Sequence, residues 1–306
     1  MLGKIYRWWL LVTLAVMLLC GMVLVASSYS EVGVTAEIGT SGHPLQLQDL
    51  AGIPQSVIDD ASKVALSLFR NDRKEGSRFV SQTLAVYAEA RDKDFVIVFN
   101  PGGWGEKLLE NASGWQSIIT GIQDELDYWG YKWVSLDYMR TEGNWGGRLG
   151  EAEEMMALYP DKGRILASRV EFLTRNIPGV RVILTGESTG SVITDAVMDI
   201  LKNNLQVYSI QTGPPFWHKG TTRERALVLT NNGLMPDALS QGDFWTIIRG
   251  NMKGGFQFSE VAQDGGTIFN SLAAPGHIYW WQYPGVYSQI TGFLEKNFGI
   301  KIGSVA

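Results

Sequence analysis

The sequence predicts an α/β fold built on a doubly wound, mostly parallel sheet. Two observations carry that expectation. Short apolar runs alternate with stretches of helical period from about residue 54 to the end of the chain. Two of the runs, Phe95-Val96-Ile97-Val98-Phe99 and Val180, Val182, Ile183, Leu184, are apolar without an alternating polar face, as strands covered on both sides are. The 306 residues suffice for one large domain with a well-buried core.

Residues 1–30 stand apart from this domain. Lys4 and Arg7 precede Trp8 to Ala26, nineteen positions with no charge. At about 1.5 Å per residue they just span a bilayer core of about 30 Å. The fold class therefore includes an N-terminal transmembrane helix, with its N-terminus cytoplasmic and the domain outside the cytoplasm. The rival is a signal peptide cleaved near Val25-Ala26-Ser27, which would make the protein secreted. The run is longer than an ordinary signal core, which favours the anchor. Cys20 lacks the small preceding residue that lipoprotein processing would want. Residues 31–50 read as a linker and 51–306 as the folded domain.

Taken in order, Ser27 to Gln48 shows no periodicity, and His43 within it reads as solvated. Val57, Ala61, Val64, Ala65 and Leu68 mark a helix with Pro54 near its first turn, and Phe79, Thr83, Val86, Tyr87 and Ala90 a second. The strand Phe95–Phe99 runs into Asn100-Pro101-Gly102-Gly103-Trp104-Gly105. A helix over Trp115 to Tyr128 and a strand over Tyr131 to Tyr138 follow. Residues 140–165, rich in Gly and Glu, read as an insertion or long loop, and Ala167 to Arg175 as a helix. Further strands are expected at Val207–Ile210, Ala226–Thr230 and Thr267–Leu272. A last helix has Pro284 near its start, Val286, Ile290, Phe293 and Leu294 on one face, and Gly299 as its stop.

The stretch Val180 to Leu201 holds the chemistry. Its strand ends in Gly186-Glu187-Ser188-Thr189-Gly190, and Val192, Ile193, Ala196, Val197, Ile200 and Leu201 then take helical spacing. This is a GxSxG pattern in the strand–turn–helix setting of a nucleophile elbow. An ordinary Gly-rich turn would spell the same five letters; the flanking strand and helix distinguish the two.

A serine nucleophile needs a base, and the base needs an acid to orient it. In this arrangement both follow the serine, which leaves His218 and His277. The acids available to His218, Asp195 and Asp199, lie in a helix that runs away from Ser188, so His218 reads as a loop or surface residue. His277 sits between the last strand and last helix, at the sheet edge that carries Ser188. For the acid, Gln211 ends one strand and offers none. Asp237 and Asp243 follow the next strand, Asp264 lies closer to His277, and nearness to the strand end favours Asp237 over Asp243. An oxyanion would be held by the N–H of Thr189 and by that of Gly103 or Trp104.

The series NPGGWG, GYKWVSLDY, LTGESTGS, TNNGLMPD and PGHIYWW resembles the α/β-hydrolase superfamily over about residues 94–300. The resemblance implies an eight-stranded-type mixed sheet and acyl-enzyme hydrolysis through a triad of Ser188, His277 and Asp237. Asn100-Pro101 stands where many relatives carry His-Gly, and the interval from acid to base is longer than usual.

The expected activity is that of a membrane-anchored serine hydrolase cleaving carboxylic esters of small molecules or lipids. Other acyl transfer on the same residues (thioesterase, peptidase, acyltransferase) and a non-catalytic binding protein of the same fold remain open. No metal or cofactor is expected, since the chain has one Cys and three His. A net charge of -5 with no basic cluster argues against nucleic acid. The aromatic load (Trp104, Trp115, Trp145, Trp217, Trp245, Trp280 and Trp281) suits an apolar acyl group or an ordinary core equally. Residues 140–165 and 238–266 are the candidate lids. The sequence leaves the oligomeric state open.

Overall fold

The structure, a computed structural model, describes residues 36–40, 43–44, 52–141, 145–220, 224–253 and 274–299. Its frame is one sheet of seven strands: β1 (Glu37–Thr40), β2 (His43–Pro44), β3 (Phe95–Asn100), β4 (Trp133–Met139), β5 (Arg181–Glu187), β6 (Val207–Thr212) and β7 (Ala226–Leu229). The order across the sheet is β2-β1-β4-β3-β5-β6-β7. The five strands from β4 to β7 are parallel, and β1 and β2 extend the β4 edge antiparallel.

All six residues of β3 are buried, and so are the inner five of β5. Their alternate side chains feed two separate cores. Val96, Val98, Val182 and Leu184 pack beneath the helices α1 (Gln55–Phe69), α2 (Arg73–Ala90), α5 (Pro160–Asn176) and α6 (Thr189–Ile200). Phe95, Ile97, Phe99 and Ile183 face α3 (Ser113–Tyr128) and α9 (Pro284–Phe298). Each such side chain contributes roughly 1.5–3 kcal/mol by leaving water. A strand covered on both faces has no use for polar alternation, which is why these runs read as continuously apolar.

The chain goes from β3 through α3 to β4 on one side, then returns to place β5 on the other. β3 and β5 therefore flank the switch point of the sheet, where the loops at their carboxyl ends diverge and leave a crevice. The remaining described helices are α4 (Trp145–Met156), α7 (Ala238–Gln241) and α8 (Phe244–Lys253).

Two expectations are corrected. The stretch taken as linker contributes β1, whose Glu37, Ile38 and Gly39 pair with Met139, Tyr138 and Asp137. A four-residue strand with one buried side chain, Ile38, carries no periodicity of its own; the side of β4 away from β3 recruits it. The domain thus begins before residue 51. Residues 140–165 are largely helical, forming α4 and the start of α5, rather than a long loop. Glu151, on α4, is buried between Arg140 and Lys162. Of the other lid candidate, 238–253 forms α7 and α8, and the rest lies outside the described residues, as do Asp264 and the strand expected at 267–272. Seven strands lie among the described residues. Residues 8–26 also lie outside them; no helix among the described residues is long and apolar enough to cross a membrane.

Candidate active site

Ser188 joins β5 to α6 with φ 51° and ψ -118°, a backbone conformation that costs a non-glycine residue about 1–3 kcal/mol. Three bonds hold it there. The Ser188 N–H donates to the Thr212 carbonyl at 2.9 Å, and the Ser191 hydroxyl donates to the Gly186 and Thr212 carbonyls at 3.0 and 3.2 Å. Gly190 lets the first turn of α6 lie directly on the end of β3, since a Cβ there would stand 2.1 Å from the Asn100 carbonyl oxygen. The Ser188 side chain is buried, and its Oγ has no hydrogen-bond partner among the described residues.

His277 and Asp237 meet from two different loops. His277 Nδ1 lies 2.8 Å from Asp237 Oδ2, and both side chains are buried. Because the carboxylate only accepts, it sets the proton on Nδ1 and leaves Nε2 with its lone pair. Asp237 Oδ2 also accepts from the Tyr279 hydroxyl at 2.9 Å. Its Oδ1 accepts the backbone N–H groups of Leu239 and Ser240 at 2.9 and 3.1 Å, capping α7. The loops are stitched to each other by Ala238 N–H to the Pro275 carbonyl and by the Asn232 amide to the Ile278 carbonyl.

Gly213 connects this pair to the elbow. A Cβ there would stand 2.6 Å from His277 Cε1, while the carbonyl of its neighbour Thr212 receives the Ser188 N–H. One dipeptide at the end of β6 thus carries the elbow and the imidazole together.

Asp243, the other acid considered, is exposed and caps α8 through Thr246. His218 is a loop residue, as expected, and it pairs with Asp195 of α6 at 3.3 Å. Its loop folds back over α6, a path that strand and helix patterns do not encode.

The loop after β3 lies against the elbow. Gly102 N–H donates to Glu187 Oε2 at 3.3 Å, and the Thr189 hydroxyl donates to the Gly103 carbonyl at 2.7 Å. Thr189 opens α6, so its N–H has no acceptor within the helix. Behind the loop sits a buried ionic cluster that sequence reasoning missed. Arg140 donates through Nε to Glu151 at 2.6 Å, through Nη1 to the Pro101 carbonyl at 2.7 Å, and through Nη2 to the Thr189 hydroxyl at 3.4 Å. Glu151 also receives the Tyr159 hydroxyl and the Lys162 ammonium, each at 2.8 Å, and Lys162 returns to the Arg140 carbonyl. Tyr279 was missed as well; nothing in the sequence distinguishes it from its aromatic neighbours.

Two carboxyls of this region are acid-sensitive. Burial pushes Asp237 up, but the His277 hydrogen bond and charge, with the Ser240 amide and the Tyr279 hydroxyl, hold it below the ordinary 3.8. Burial likewise raises Glu151, and Arg140 and Lys162 pull it below 4.5. A lowered folded-state value means the unfolded chain takes up the proton first. The stabilisation is therefore complete above the ordinary values and is lost as pH falls through the folded ones. Urea midpoints are expected to hold steady down to about pH 5 and to drop below it, with a shallower drop in Glu151→Gln. A midpoint unchanged at about pH 2 would contradict this.

No protein-family model matches the chain, and no curated protein matches it. Among solved structures it is similar to that of a Trichoderma reesei cutinase in complex with a C11Y4 phosphonate inhibitor, at 11% identity and a TM-score of 0.34. The likeness covers 59% of this chain and 77% of the cutinase. So slight a likeness says nothing about activity.

Proposed function

We propose that this chain is a serine hydrolase of carboxylic esters, held at a membrane by residues 8–26 with its domain outside the cytoplasm. The carrying observation is the strained Ser188 turn joined, through Thr212 and Gly213, to a buried His277–Asp237 pair. In the reaction, Ser188 Oγ attacks the ester carbonyl carbon and its proton passes to His277 Nε2. The resulting oxyanion is received by the Thr189 N–H and by an N–H of the Gly103-Trp104 segment. Collapse breaks the bond to the alkoxy oxygen, which leaves as the alcohol with the proton from Nε2. Water then repeats the sequence on the acyl-Ser188, releasing the acid. Asp237 stays ionised and balances the imidazolium in both halves.

A fluorophosphonate probe tests this on the full-length chain in detergent. Wild type is expected to be labelled, and Ser188→Ala and His277→Ala to lose the label while keeping the wild-type circular dichroism spectrum. A folded wild type that takes no label would overturn the reading and favour a binding protein. Thioester and peptide panels on a labelled wild type would then separate esterase from the other acyl-transfer activities.

A further inference from the structure

We infer that the sheet edge carrying Ser188 lies face-on against the lipid bilayer, with the exposed rings of Phe216, Trp217, Phe244 and Trp245 seated at its headgroup level. The inference rests on the membrane-anchor part of the proposal above and is independent of the hydrolase part.

The first observation is the direction of β1. Glu37, at its start, pairs with Met139, the last residue of β4. The chain that precedes β1 thus arrives at the carboxyl edge of the parallel strands, the edge where β5 ends in the elbow and β6 ends beneath His277. Residues 27–35 separate the apolar run from the first described residue, Ala36. Nine residues reach at most about 30 Å when fully extended. From β1 to β6 is four strand steps, roughly 19 Å at the usual spacing. A run inserted in a bilayer therefore enters the domain at this edge and holds it within about 30 Å of the lipid.

The second observation is what this edge exposes. Phe216 and Trp217 follow β6, and Phe244, Trp245 and Ile248 belong to α8; these side chains are 40%, 43%, 53%, 71% and 41% exposed. Three of them form a joined patch: the Phe216 ring meets Trp217 and Phe244 edge-on, with centroids 5.2 and 5.0 Å apart. The patch adjoins the His277–Asp237 pair, because Phe216 N–H donates to the carbonyl of Leu239, two residues after Asp237. Ile247 anchors α8 in a small core with Ala238, Leu239 and Ala274, and Phe244, Trp245 and Ile248 of the helix are exposed.

An exposed aromatic patch of this kind marks an interaction surface. Its chemistry fits lipid better than a protein partner of matched shape. Trp and Phe suit the headgroup boundary, and the exposed Lys219 and Arg249 beside them are cations that can meet lipid phosphate. The acid on α8, Asp243, turns both oxygens to Thr246.

Site-directed spin labelling of the full chain tests the orientation. Single cysteines are introduced by Trp217→Cys, Trp245→Cys and Tyr128→Cys in a Cys20→Ser background, and the chain is reconstituted into phosphatidylcholine–phosphatidylglycerol vesicles. Tyr128, at the end of α3, is 84% exposed and belongs to the opposite edge of the sheet. Labels at 217 and 245 are expected to favour oxygen over a water-soluble nickel chelate several-fold more than the label at 128. Equal, water-like accessibility at all three sites in chains that float with the vesicles would overturn the docking. Spin–spin broadening at 217 that grows with protein density would also overturn it, in favour of a second copy of the chain. Chains that do not float would overturn the anchor instead, and phosphonate labelling reports on the hydrolase regardless.

Discussion

Asp237→Asn is expected to lower kcat/KM for ester cleavage by about 10⁴-fold without unfolding the protein. The size follows from how its two oxygens are used. Oδ1 caps α7 by accepting from Leu239 and Ser240, and an asparagine would keep its only oxygen there. Its NH2 group would then face His277 Nδ1 and the Tyr279 hydroxyl, both of which donate to Asp237 Oδ2. The imidazole would have to move its proton to Nε2, the atom that must receive the Ser188 proton. Asp243→Asn is the control and should leave the rate unchanged, since that side chain caps α8. Tyr279→Phe removes one hydrogen bond worth about 1 kcal/mol and should cost less than roughly tenfold. Steady-state rates on a chromogenic ester check all three.

Arg140→Met is expected to destabilise the fold by about 3–5 kcal/mol, because it removes one partner from a buried ionic cluster and leaves the others in place. Glu151 would keep Lys162, but the Pro101 carbonyl and the Thr189 hydroxyl would each lose a donor. Arg140→Lys should not rescue it. A single ammonium cannot span the three directions that the guanidinium serves. Urea unfolding gives the stability. A kcat that falls further than KM changes would identify Arg140 as a positioning residue for the loop after β3, a signature that lost stability does not produce.

The parts of the fold legible in the sequence are those whose physics is local. β3 and β5 declare themselves because burial on both faces makes Phe95–Phe99 and Val182–Leu184 continuously apolar. The Ser188 turn does so because glycines must flank it where helix and strand backbones meet. The pairing of Asp237 with His277, 40 residues apart, was reached only through chain order and strand ends. Interactions decided by a distant partner were not legible. β1 is a strand because the side of β4 away from β3 recruits it, and Glu151 is buried because Arg140 and Lys162 neutralise it. Tyr279 and the fold-back of His218 onto Asp195 belong to the same class.

The cluster behind the loop has an electronic consequence. A peptide whose carbonyl accepts a hydrogen bond becomes a stronger donor at the N–H of the next residue, by about 10–30% per bond. Arg140 donates to the Pro101 carbonyl, which shares its peptide plane with the Gly102 N–H, and Thr189 donates to the Gly103 carbonyl, which shares its plane with the Trp104 N–H. Alternate amides of the loop are thereby polarised from behind. The buried guanidinium thus reaches the Gly102 amide directly and the Trp104 amide through the Thr189 hydroxyl, although none of its own surface is exposed.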